Sequence, residues 1–451
     1  MRYIALTLGP IIDTLALGRK TSEIWMASYF FSSFMKKVIL KIKEKGNATF
    51  LVPYSEDETI FQTQDAGIGM FHDRFIFQTE TMTIEDVKII IDEEKKLLAA
   101  MIAQSIKRDE KKVLSFIKNY LQTYLLQSEE TYVNPILEIS TLLDSIELHT
   151  PHLEADEDYM RLFLNRDTIL NSSLAKESFG KKPSFDSIEA IAAQELESEE
   201  APKNAQAYIA IIHADGDNIG SYIKAQNDVS KVSKKLFEFD KKAVQSIKEF
   251  GALPLFVGGD DLLFFSPLLN AKKETVFALL DKLSQDYEDA LQTKESTLSF
   301  GISITYYKYP LYEALAKSRE ALFGVAKAYE GKNAIALSAQ KHSGQSFDFC
   351  ISKDDVAYEQ FKKLVHNTLA QDLELPHAIH HKLYKHKTLF ENITIEQVES
   401  TFENLFNEEV HHLKFQEGLT AVSKLVTLLG RQNQEKLFSM LSTIKLIRGD
   451  R

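Results

Sequence analysis

A short glycine-rich turn between two apolar runs constrains this chain more than any other feature of its sequence. Gly258-Gly259-Asp260-Asp261 follows the run Ala252–Val257 and precedes the run Leu262–Phe265. Two apolar runs separated by such a sequence predict a β-hairpin, because glycine readily adopts the positive φ that a tight turn requires. The tip of this hairpin then carries two adjacent carboxylates, which repel each other unless solvent or a cation screens them.

A second acidic cluster follows another apolar run. Tyr208–Ile212 predicts a strand, and His213-Ala214-Asp215-Gly216-Asp217 comes directly after it. Carboxylates at neighbouring strand ends can hold two divalent metal ions, and two metals can drive the transfer of a nucleotidyl group. Each motif alone also has a structural interpretation, one as a plain hairpin turn and the other as a strand-to-helix loop with Asp217 as the helix N-cap.

Taken together, the two motifs predict a two-metal site. By their positions, Asp215 and Asp260 are the expected metal ligands, and Asp261 is the third candidate. The backbone carbonyl of Gly216 is expected to contribute a further oxygen. Asp217 is not included, because an N-cap role is a sufficient explanation for it.

Composition limits the classes of protein that this chain can belong to. Its 451 residues suggest about two to four domains. An apolar fraction of 44% and a charged fraction of 26% are typical of a soluble globular protein, and Cys350, the only cysteine, excludes a disulfide framework. The N-terminus lacks a signal-peptide cleavage pattern, so a cytoplasmic location is expected. A net charge of −12 argues against a broad basic surface for nucleic acid but leaves nucleotide binding open, since Mg²⁺ or Mn²⁺ supplies positive charge locally.

The order of predicted elements divides the chain into four parts. Residues 1–107 alternate strands and helices, 108–205 are mostly helical, 206–345 form a second α/β block containing the acidic hairpin, and 346–451 are helical. The fold class is therefore α/β (α+β), with two ferredoxin-like palm domains, an intervening helical segment and a C-terminal helical bundle. The first block has no acidic turn like that of the second, so only the second palm is expected to be catalytic. An acidic stretch at 195–204 is interpreted as a linker.

The chain resembles the large polymerase-like subunit of type III CRISPR effector complexes, in particular of the III-B form. The resemblance rests on several short motifs that are specific only in combination. These are Leu8-Gly9-Pro10-Ile11-Ile12-Asp13, Gly18-Arg19-Lys20-Thr21, Gly67–Phe75, Ala214–Gly220, Gly258-Gly259-Asp260-Asp261, Tyr307-Lys308-Tyr309-Pro310-Leu311 and Gly331-Lys332-Asn333-Ala334.

The resemblance implies an enzyme that signals. When guide RNA in the complex pairs with target RNA, such subunits convert ATP into cyclic oligoadenylates, and some relatives instead join ATP to S-adenosylmethionine. The implied cofactors are two Mg²⁺ or Mn²⁺ ions with ATP as substrate, and the implied partners are the other complex subunits and the two RNAs, with no membrane. Lys327 and Lys332 lie where related palm cyclases contact triphosphate. Gly258 and Gly259 are expected to let the backbone approach the nucleotide, and Ser221 to donate to a phosphate at a helix start.

The departures from the family pattern are also informative. This chain is expected to be a form that lacks the HD nuclease domain, since its His72-Asp73 dipeptide has no further ligands in the pattern and is interpreted as structural. The cysteine-bound zinc of the family is excluded by the single cysteine. Four histidines in the tail, His377, His380, His381 and His386, are interpreted as a solvated or partner-facing helix rather than a metal site.

Three alternatives remain open from the sequence. The same active site could conjugate ATP to S-adenosylmethionine, the chain could act alone as a palm-type nucleotide cyclase, or it could be a catalytically silent scaffold. Asp260-Asp261 in place of a Glu-Glu-Phe ending weighs against the lone cyclase, as do the duplicated palm and the helical tail. Intact acids at Asp215, Asp260 and Asp261 weigh against the silent scaffold.

Overall fold

The two α/β regions form two separate β-sheets in the computed structural model of this chain. The structure describes residues 2–56, 67–147, 157–193, 208–226, 229–372, 374–375, 379–406, 413–430 and 433–448. No helix within these ranges is long and apolar enough to cross a membrane. The acidic stretch interpreted as a linker lies outside the described residues.

The first sheet has the strand order of a ferredoxin-like unit. The elements of this region are β1 (Arg2–Gly9), α1 (Ile11–Leu15), α2 (Thr21–Lys45), β2 (Ala48–Val52), β3 (Arg74–Thr79), α3 (Ile84–Ile106), α4 (Glu110–Tyr120), β4 (Gln122–Ser128) and α5 (Pro135–Glu147). The sheet order is β2-β3-β1-β4, and neighbouring strands are antiparallel. A βαββαβ chain that places its first strand between the third and the fourth produces this order.

A local capping signal starts α3, and an aromatic cluster packs α2 into the core. Thr83 and Asp86 form a reciprocal capping box that starts α3, as the Thr83-Ile84-Glu85-Asp86 sequence predicts. On α2, the single tryptophan Trp25 is buried and stacks on Tyr29, with Phe179 against its edge. Trp25 therefore belongs to the core.

Among the described residues, four short helices follow in the chain, after the residues of the first sheet and before those of the second. They are α6 (Tyr159–Phe163), α7 (Arg166–Asn171), α8 (Ser173–Phe179) and α9 (Ile188–Ala192). Each begins at a residue whose side chain accepts a hydrogen bond from the first turn: Asp158, Asn165, Ser172 and Ser187. Capping of this kind stabilises helices that are too short to persist alone.

The second sheet repeats the first order and extends it. Its region contains β5 (Tyr208–Asp217), α10 (Ile219–Ala225), α11 (Val229–Phe250), β6 (Leu253–Gly258), β7 (Asp261–Pro267), α12 (Val276–Leu291), β8 (Thr297–Tyr306), α13 (Leu311–Glu320), a π-helical turn (Ala321–Ala326), β9 (Ala334–Gln340) and β10 (Ser346–Ser352). The order is β10-β9-β8-β5-β7-β6. The subset β8-β5-β7-β6 corresponds to β4-β1-β3-β2 of the first sheet, which supports the interpretation of a duplicated palm.

The two sheets are joined directly. Gly69, just before β3, pairs in parallel with Phe256 of the edge strand β6. The Val257 N–H donates to the Gly69 carbonyl at 2.9 Å, and the Gly69 N–H donates to the Leu255 carbonyl at 3.4 Å. One apolar core includes residues from both sheets, so the first palm lies against the strand that leads into the acidic turn.

The tail packs as helices beside the second sheet. Its elements are α14 (Val356–Leu369), α15 (Ile379–Lys385), α16 (Lys387–Asn392), α17 (Ile395–Leu405), α18 (Leu413–Leu429) and α19 (Gln434–Arg448). Buried residues of α14 and α18, among them Phe361 and Val422, belong to the same core as the sheets. The expectation of a helical tail holds for these residues.

The sequence interpretation missed two strands. β4 lies within the segment described as mostly helical, and it pairs with β1 over Tyr3–Gly9. β10 lies at the start of the predicted helical tail, and it pairs with β9. Neither strand has the continuous apolar pattern of a central strand, because each lies at the edge of its sheet and is only partly buried.

Candidate active site

The acidic hairpin forms as the sequence predicts. Gly258 pairs with Asp261, so the turn itself consists of Gly259 and Asp260. Gly259 has a φ of 70°, whereas Asp260 is not among the residues with positive φ. A glycine with positive φ at only the first turn position is the pattern of a type II′ hairpin turn. The turn therefore presents Asp260 at its tip and Asp261 at the start of β7.

The end of β5 lies next to this turn. In the antiparallel pairing of β5 with β7, Ala214 is opposite Leu262, so Asp215 follows at the end where the hairpin turns. A Cβ on Gly216 would lie 2.6 Å from Asp260 Oδ2. The Gly216 backbone is also close enough to lower the pKa of Asp260, against the larger and opposite effect of burial. Gly216 is therefore required for the close approach of the two acidic segments.

Lys327 bridges the oxygen atoms at the end of β5. Its Nζ lies 3.0 Å from Asp215 Oδ1 and 3.0 Å from Asp217 Oδ1. The same Nζ donates to the carbonyls of Asp215 at 2.9 Å and of Gly216 at 2.6 Å. Four oxygens from three consecutive residues thus surround one ammonium group. This arrangement demonstrates that the strand end attracts a cation.

A π-helical turn positions Lys327 at the end of β5. The Lys327 N–H donates to the Leu322 carbonyl, five residues back, at 2.9 Å. The preceding helix packs so closely on β8 that a Cβ on Gly301 would overlap the backbone of Ser318 and Leu322. Single π turns inside α-helices redirect the residues that follow them and recur at functional sites.

Asp217 has a different role from the one that the sequence suggested. The residue at the N-cap of α10 is Asn218, with a φ of 57° and no capping hydrogen bond from its side chain. Asp217 is fully buried, and its Oδ2 accepts from Thr297 Oγ1 at 2.9 Å and Ser299 Oγ at 2.7 Å. The predicted N-cap is therefore wrong, because β5 continues through Asp217 and directs its carboxylate into the sheet edge.

Asp217 also fixes the loop that follows Lys327. The Asn333 N–H donates to Asp217 Oδ2 at 3.0 Å. Gly331, Lys332 and Asn333 all have positive φ values, of 81°, 55° and 46°. The Gly331-Lys332-Asn333 motif is thus a left-handed loop that wraps onto a buried carboxylate. Lys332 in this loop lies near the same strand end, with Nζ 3.2 Å from Asn218 Oδ1.

The carboxyl groups of the site have pKa values that are raised above the usual range for aspartate. Burial, and then the neighbouring Asp260, raises the pKa of Asp215 to about 6, although Lys327 opposes the shift. Burial raises the pKa of Asp260 as well. Asp261 keeps part of its surface exposed, yet loss of hydration around its carboxyl, followed by the charges of Asp260 and Asp215, raises its pKa well above the usual range. Carboxylates arranged in this way gain stability when a cation joins them.

The donor set fits a hard divalent cation. Carboxylates of Asp215, Asp260 and Asp261 and the carbonyl of Gly216 are all oxygen ligands, which Mg²⁺ and Mn²⁺ prefer. In the conformation of this structure, no three His, Cys, Asp or Glu side chains of the described residues are grouped to hold one ion. Instead, the Lys327 ammonium contacts two of these oxygen donors, Asp215 Oδ1 and the Gly216 carbonyl.

The structure adds residues that the sequence interpretation did not select. Asp240 on α11 is buried and accepts a hydrogen bond from the Gly259 N–H at 3.0 Å. His72 of the first palm lies against Gly259, where a Cβ would overlap its ring. Asp240, His72, Asp73 and Asp260 share a cavity of about 170 Å³ between the two palms.

The sequence does contain a signal for Asp240. Phe237, Ala243, Val244 and Ile247 form the buried stripe of α11, and Asp240 occupies a position on that stripe. An acid at a core position of an amphipathic helix needs a partner. For His72 no comparable signal exists, because its contact is made with a residue 187 positions later in the chain.

The remaining predicted residues are placed as follows. Gly258 ends β6, where a Cβ would crowd the Phe256 ring. Ser221 is exposed in the first turn of α10. Among the tail histidines, His377 and the side chain of His380 lie outside the described residues.

Both α/β regions of the chain are similar to known protein families. Residues 208–336 match the family model described as Cas10/Cmr2, second palm domain, and residues 3–115 match the N-terminal family model of the CRISPR-associated protein Cmr2. The chain is also similar to the CRISPR system Cmr subunit Cmr2 of Pyrococcus furiosus, with 28% identity over 172 residues. That match covers 32% of this chain and 20% of the relative's length.

Solved structures have the same fold. The apo state of type III-B Cmr-beta is similar with a TM-score of 0.64 and 11% identity, covering 100% of this chain and 82% of that chain. The Csm1–Csm4 cassette in complex with one ATP is similar with a TM-score of 0.54 and 12% identity, covering 100% of this chain and 70% of that one. Each α/β region of the chain is thus similar to a region of Cas10/Cmr2 proteins, over residues 3–115 in the first region and 208–336 in the second.

Proposed function

We propose that this chain is a nucleotidyltransferase that makes cyclic oligoadenylates from ATP when its type III CRISPR complex binds target RNA. The observation that carries the proposal is the meeting of Asp215, Gly216, Asp260 and Lys327 at adjacent strand ends of the second palm. The ATP-bound Csm1–Csm4 cassette, which has the same fold, supports ATP as the substrate.

The proposed reaction joins two nucleotides at a time. A ribose 3′-hydroxyl loses its proton to solvent and attacks the α-phosphorus of a second ATP. The new 3′-O–P bond forms while the bond from that phosphorus to the oxygen shared with the β-phosphate breaks, so that pyrophosphate leaves. The same attack on the 5′-triphosphate of the growing chain closes the ring and releases the last pyrophosphate. Asp215, Asp260, Asp261 and the Gly216 carbonyl would hold the divalent ions. When bound, such ions lower the pKa of the attacking hydroxyl and neutralise the leaving group.

The other residues of the site bind and orient the substrate in this proposal. Lys327 and Lys332 lie near the same strand end, within reach of a triphosphate placed there. Lys327 would exchange its present oxygen partners for phosphate oxygens. Gly258 and Gly259 leave the turn without side chains, so a nucleotide can approach its backbone. Ser221 at the start of α10 is proposed as a donor to a phosphate.

The test is product analysis with the assembled complex. The reaction contains guide RNA, cognate or non-cognate target RNA, Mn²⁺ and ATP, with and without S-adenosylmethionine, and products are identified by mass spectrometry. We expect cyclic oligoadenylates only with cognate target. Detection of a methionine–adenylate conjugate would support the same active site but with a different product. Absence of any product while target RNA is bound would favour a silent scaffold.

A matched pair of variants ties the product to the site. Asp260→Ala with Asp261→Ala should abolish product while native mass spectrometry still detects the intact complex. Glu129→Ala with Glu130→Ala removes two adjacent exposed acids from the first palm and should leave product formation unchanged. Persisting product in the Asp260/Asp261 variant would refute the site assignment.

A further inference from the structure

We infer that Asp240 is a positioning residue that holds the metal-binding turn through the Gly259 peptide. The inference deepens the proposed function and rests on it, since it concerns how Asp260 and Asp261 are kept in place. Asp240 belongs to α11, in the segment between β5 and β6, and is separated from the turn by nineteen positions in sequence.

The burial of Asp240 is unusual for an acid. Its side chain is only 2% exposed, and its neighbours on the inner stripe of α11 are Phe237, Ala243, Val244 and Ile247. A carboxyl group in such surroundings loses its hydration, which destabilises the folded protein unless a specific interaction compensates. An apolar side chain would satisfy the packing of this helix at lower cost, so packing alone does not explain the acid.

The interaction that compensates is directed at the turn. Oδ2 of Asp240 accepts a hydrogen bond from the Gly259 N–H at 3.0 Å. Oδ1 is buried and has no hydrogen-bond partner among the described residues. The Gly259 bond is thus the identified polar contact of this carboxyl, and it acts on the residue directly before Asp260.

Gly259 is also in close contact with the first palm. The His72 ring lies where a Cβ of Gly259 would be, so the turn residue meets His72 at its Cα and Asp240 at its N–H. Gly69, three residues before His72, pairs with β6 next to the turn. Loss of the Asp240 acceptor removes the hydrogen bond that fixes the orientation of the Gly259 peptide, and the carboxylates that follow this peptide then move with it.

Burial also raises the pKa of Asp240 well above the usual value. A neutral carboxylic acid still accepts a hydrogen bond through its carbonyl oxygen, as does the amide of asparagine. Asp240→Asn should therefore preserve the Gly259 contact in nearly the same shape. Asp240→Leu has the same branched shape with the same number of heavy atoms, is compatible with the apolar stripe and removes the acceptor.

The experiment measures Mn²⁺ binding by electron paramagnetic resonance and amide exchange of residues 255–263 by mass spectrometry, both on the full chain. Asp240→Leu should weaken Mn²⁺ binding about tenfold, equivalent to about 1.4 kcal/mol, and speed exchange in the turn. Asp240→Asn should restore both to near the wild-type values. Asp286→Leu is the control, since Asp286 is a buried acid on α12 that bonds to Ser246 of α11 and does not touch the turn.

A purely structural role for Asp240 predicts a different pattern. In that case Asp240→Leu would change the thermal unfolding midpoint but leave turn exchange and Mn²⁺ affinity like those of Asp286→Leu. Unchanged exchange in Asp240→Leu, or an Asp240→Asn variant as defective as Asp240→Leu, would overturn the inference. Failure of the wild-type chain to bind Mn²⁺ would count against the proposed function, and the exchange comparison would still decide the role of Asp240.

Discussion

The ammonium of Lys327 lies 3.0 Å from Oδ1 of Asp215, one of the carboxylates predicted to bind a divalent cation. It also contacts the Gly216 carbonyl at 2.6 Å. A lysine in this position partly neutralises the strand end, because the attraction between opposite charges is stronger in a partly buried site than in bulk water. The same contact makes Lys327 a competitor of any metal ion that uses those oxygens.

Replacing Lys327 by methionine should therefore strengthen metal binding and weaken catalysis. Met has a similar length but no charge, so Asp215 and Gly216 are released for the ion. We expect Mn²⁺ affinity without nucleotide to rise by roughly tenfold, and product formation to fall on the order of a hundredfold because a phosphate contact is lost. Electron paramagnetic resonance and product analysis check the two effects.

Lys332→Met is the control for Lys327→Met. Lys332 contacts Asn218 rather than the acids, so Mn²⁺ affinity without nucleotide should stay at the wild-type value. Equal Mn²⁺ affinities in Lys327→Met and wild type would mean that the lysine does not compete with the metal.

Asp217 should be a structural acid. Asp217→Asn keeps the shape but removes an acceptor from a fully buried group that bonds to Thr297, Ser299 and Asn333. We expect a loss of about 3 kcal/mol in the free energy of unfolding, measured in urea. Asp348→Asn, on the exposed side of β10, should be nearly neutral. A similar unfolding midpoint in both variants would contradict this role.

Removing the charge of Asp261, in contrast to that of Asp217, should increase the stability of the folded protein, and the size of this increase should depend on pH. Although Asp261 is exposed as a residue, loss of hydration around its carboxyl group and the charges of Asp260 and Asp215 raise its pKa in the folded protein, so ionisation destabilises the metal-free fold. This penalty is absent below the unfolded pKa of about 3.9 and grows as the pH rises through the higher folded value. Asp261→Asn should thus raise the thermal unfolding midpoint at pH 8 and leave it nearly unchanged at about pH 3. An equal gain at both pH values would rule out a charge effect.

Gly216→Ala should damage the site without unfolding the palm. The new methyl group would lie 2.6 Å from Asp260 Oδ2 and from the Tyr287 hydroxyl, so the Asp260 carboxylate must move. We expect product formation to fall by about a hundredfold or more, since small displacements of catalytic groups cost this much. Gly220→Ala is the control, because its nearest contact would be Leu137 at 3.6 Å. Full activity in Gly216→Ala would show that Asp260 tolerates displacement.

The fold was predictable where local pattern and tertiary environment agree. The apolar runs around Gly258–Asp261 predicted the hairpin, and Thr83 with Asp86 predicted the start of α3. The edge strands β4 and β10 were missed, because one side of an edge strand has no neighbour and its sequence need not be apolar.

The candidate site was predictable only in part. Asp215, Asp260 and Asp261 were selected from their positions at strand ends, and the structure brings their segments together. The local interpretation of Asp217 failed, since its partners Thr297, Ser299 and Asn333 come from later elements.

The sequence by itself determined the duplicated α/β pattern, the acidic turn and the glycine that its backbone requires, because each depends on residues a few positions apart. Only the tertiary structure decided that Lys327 bridges the end of β5, that Asp240 and His72 contact Gly259, and that Asp217 is an internal anchor. Those contacts join residues separated by 19 to 187 positions. Their geometry is set by strand order and helix packing, which no local pattern encodes.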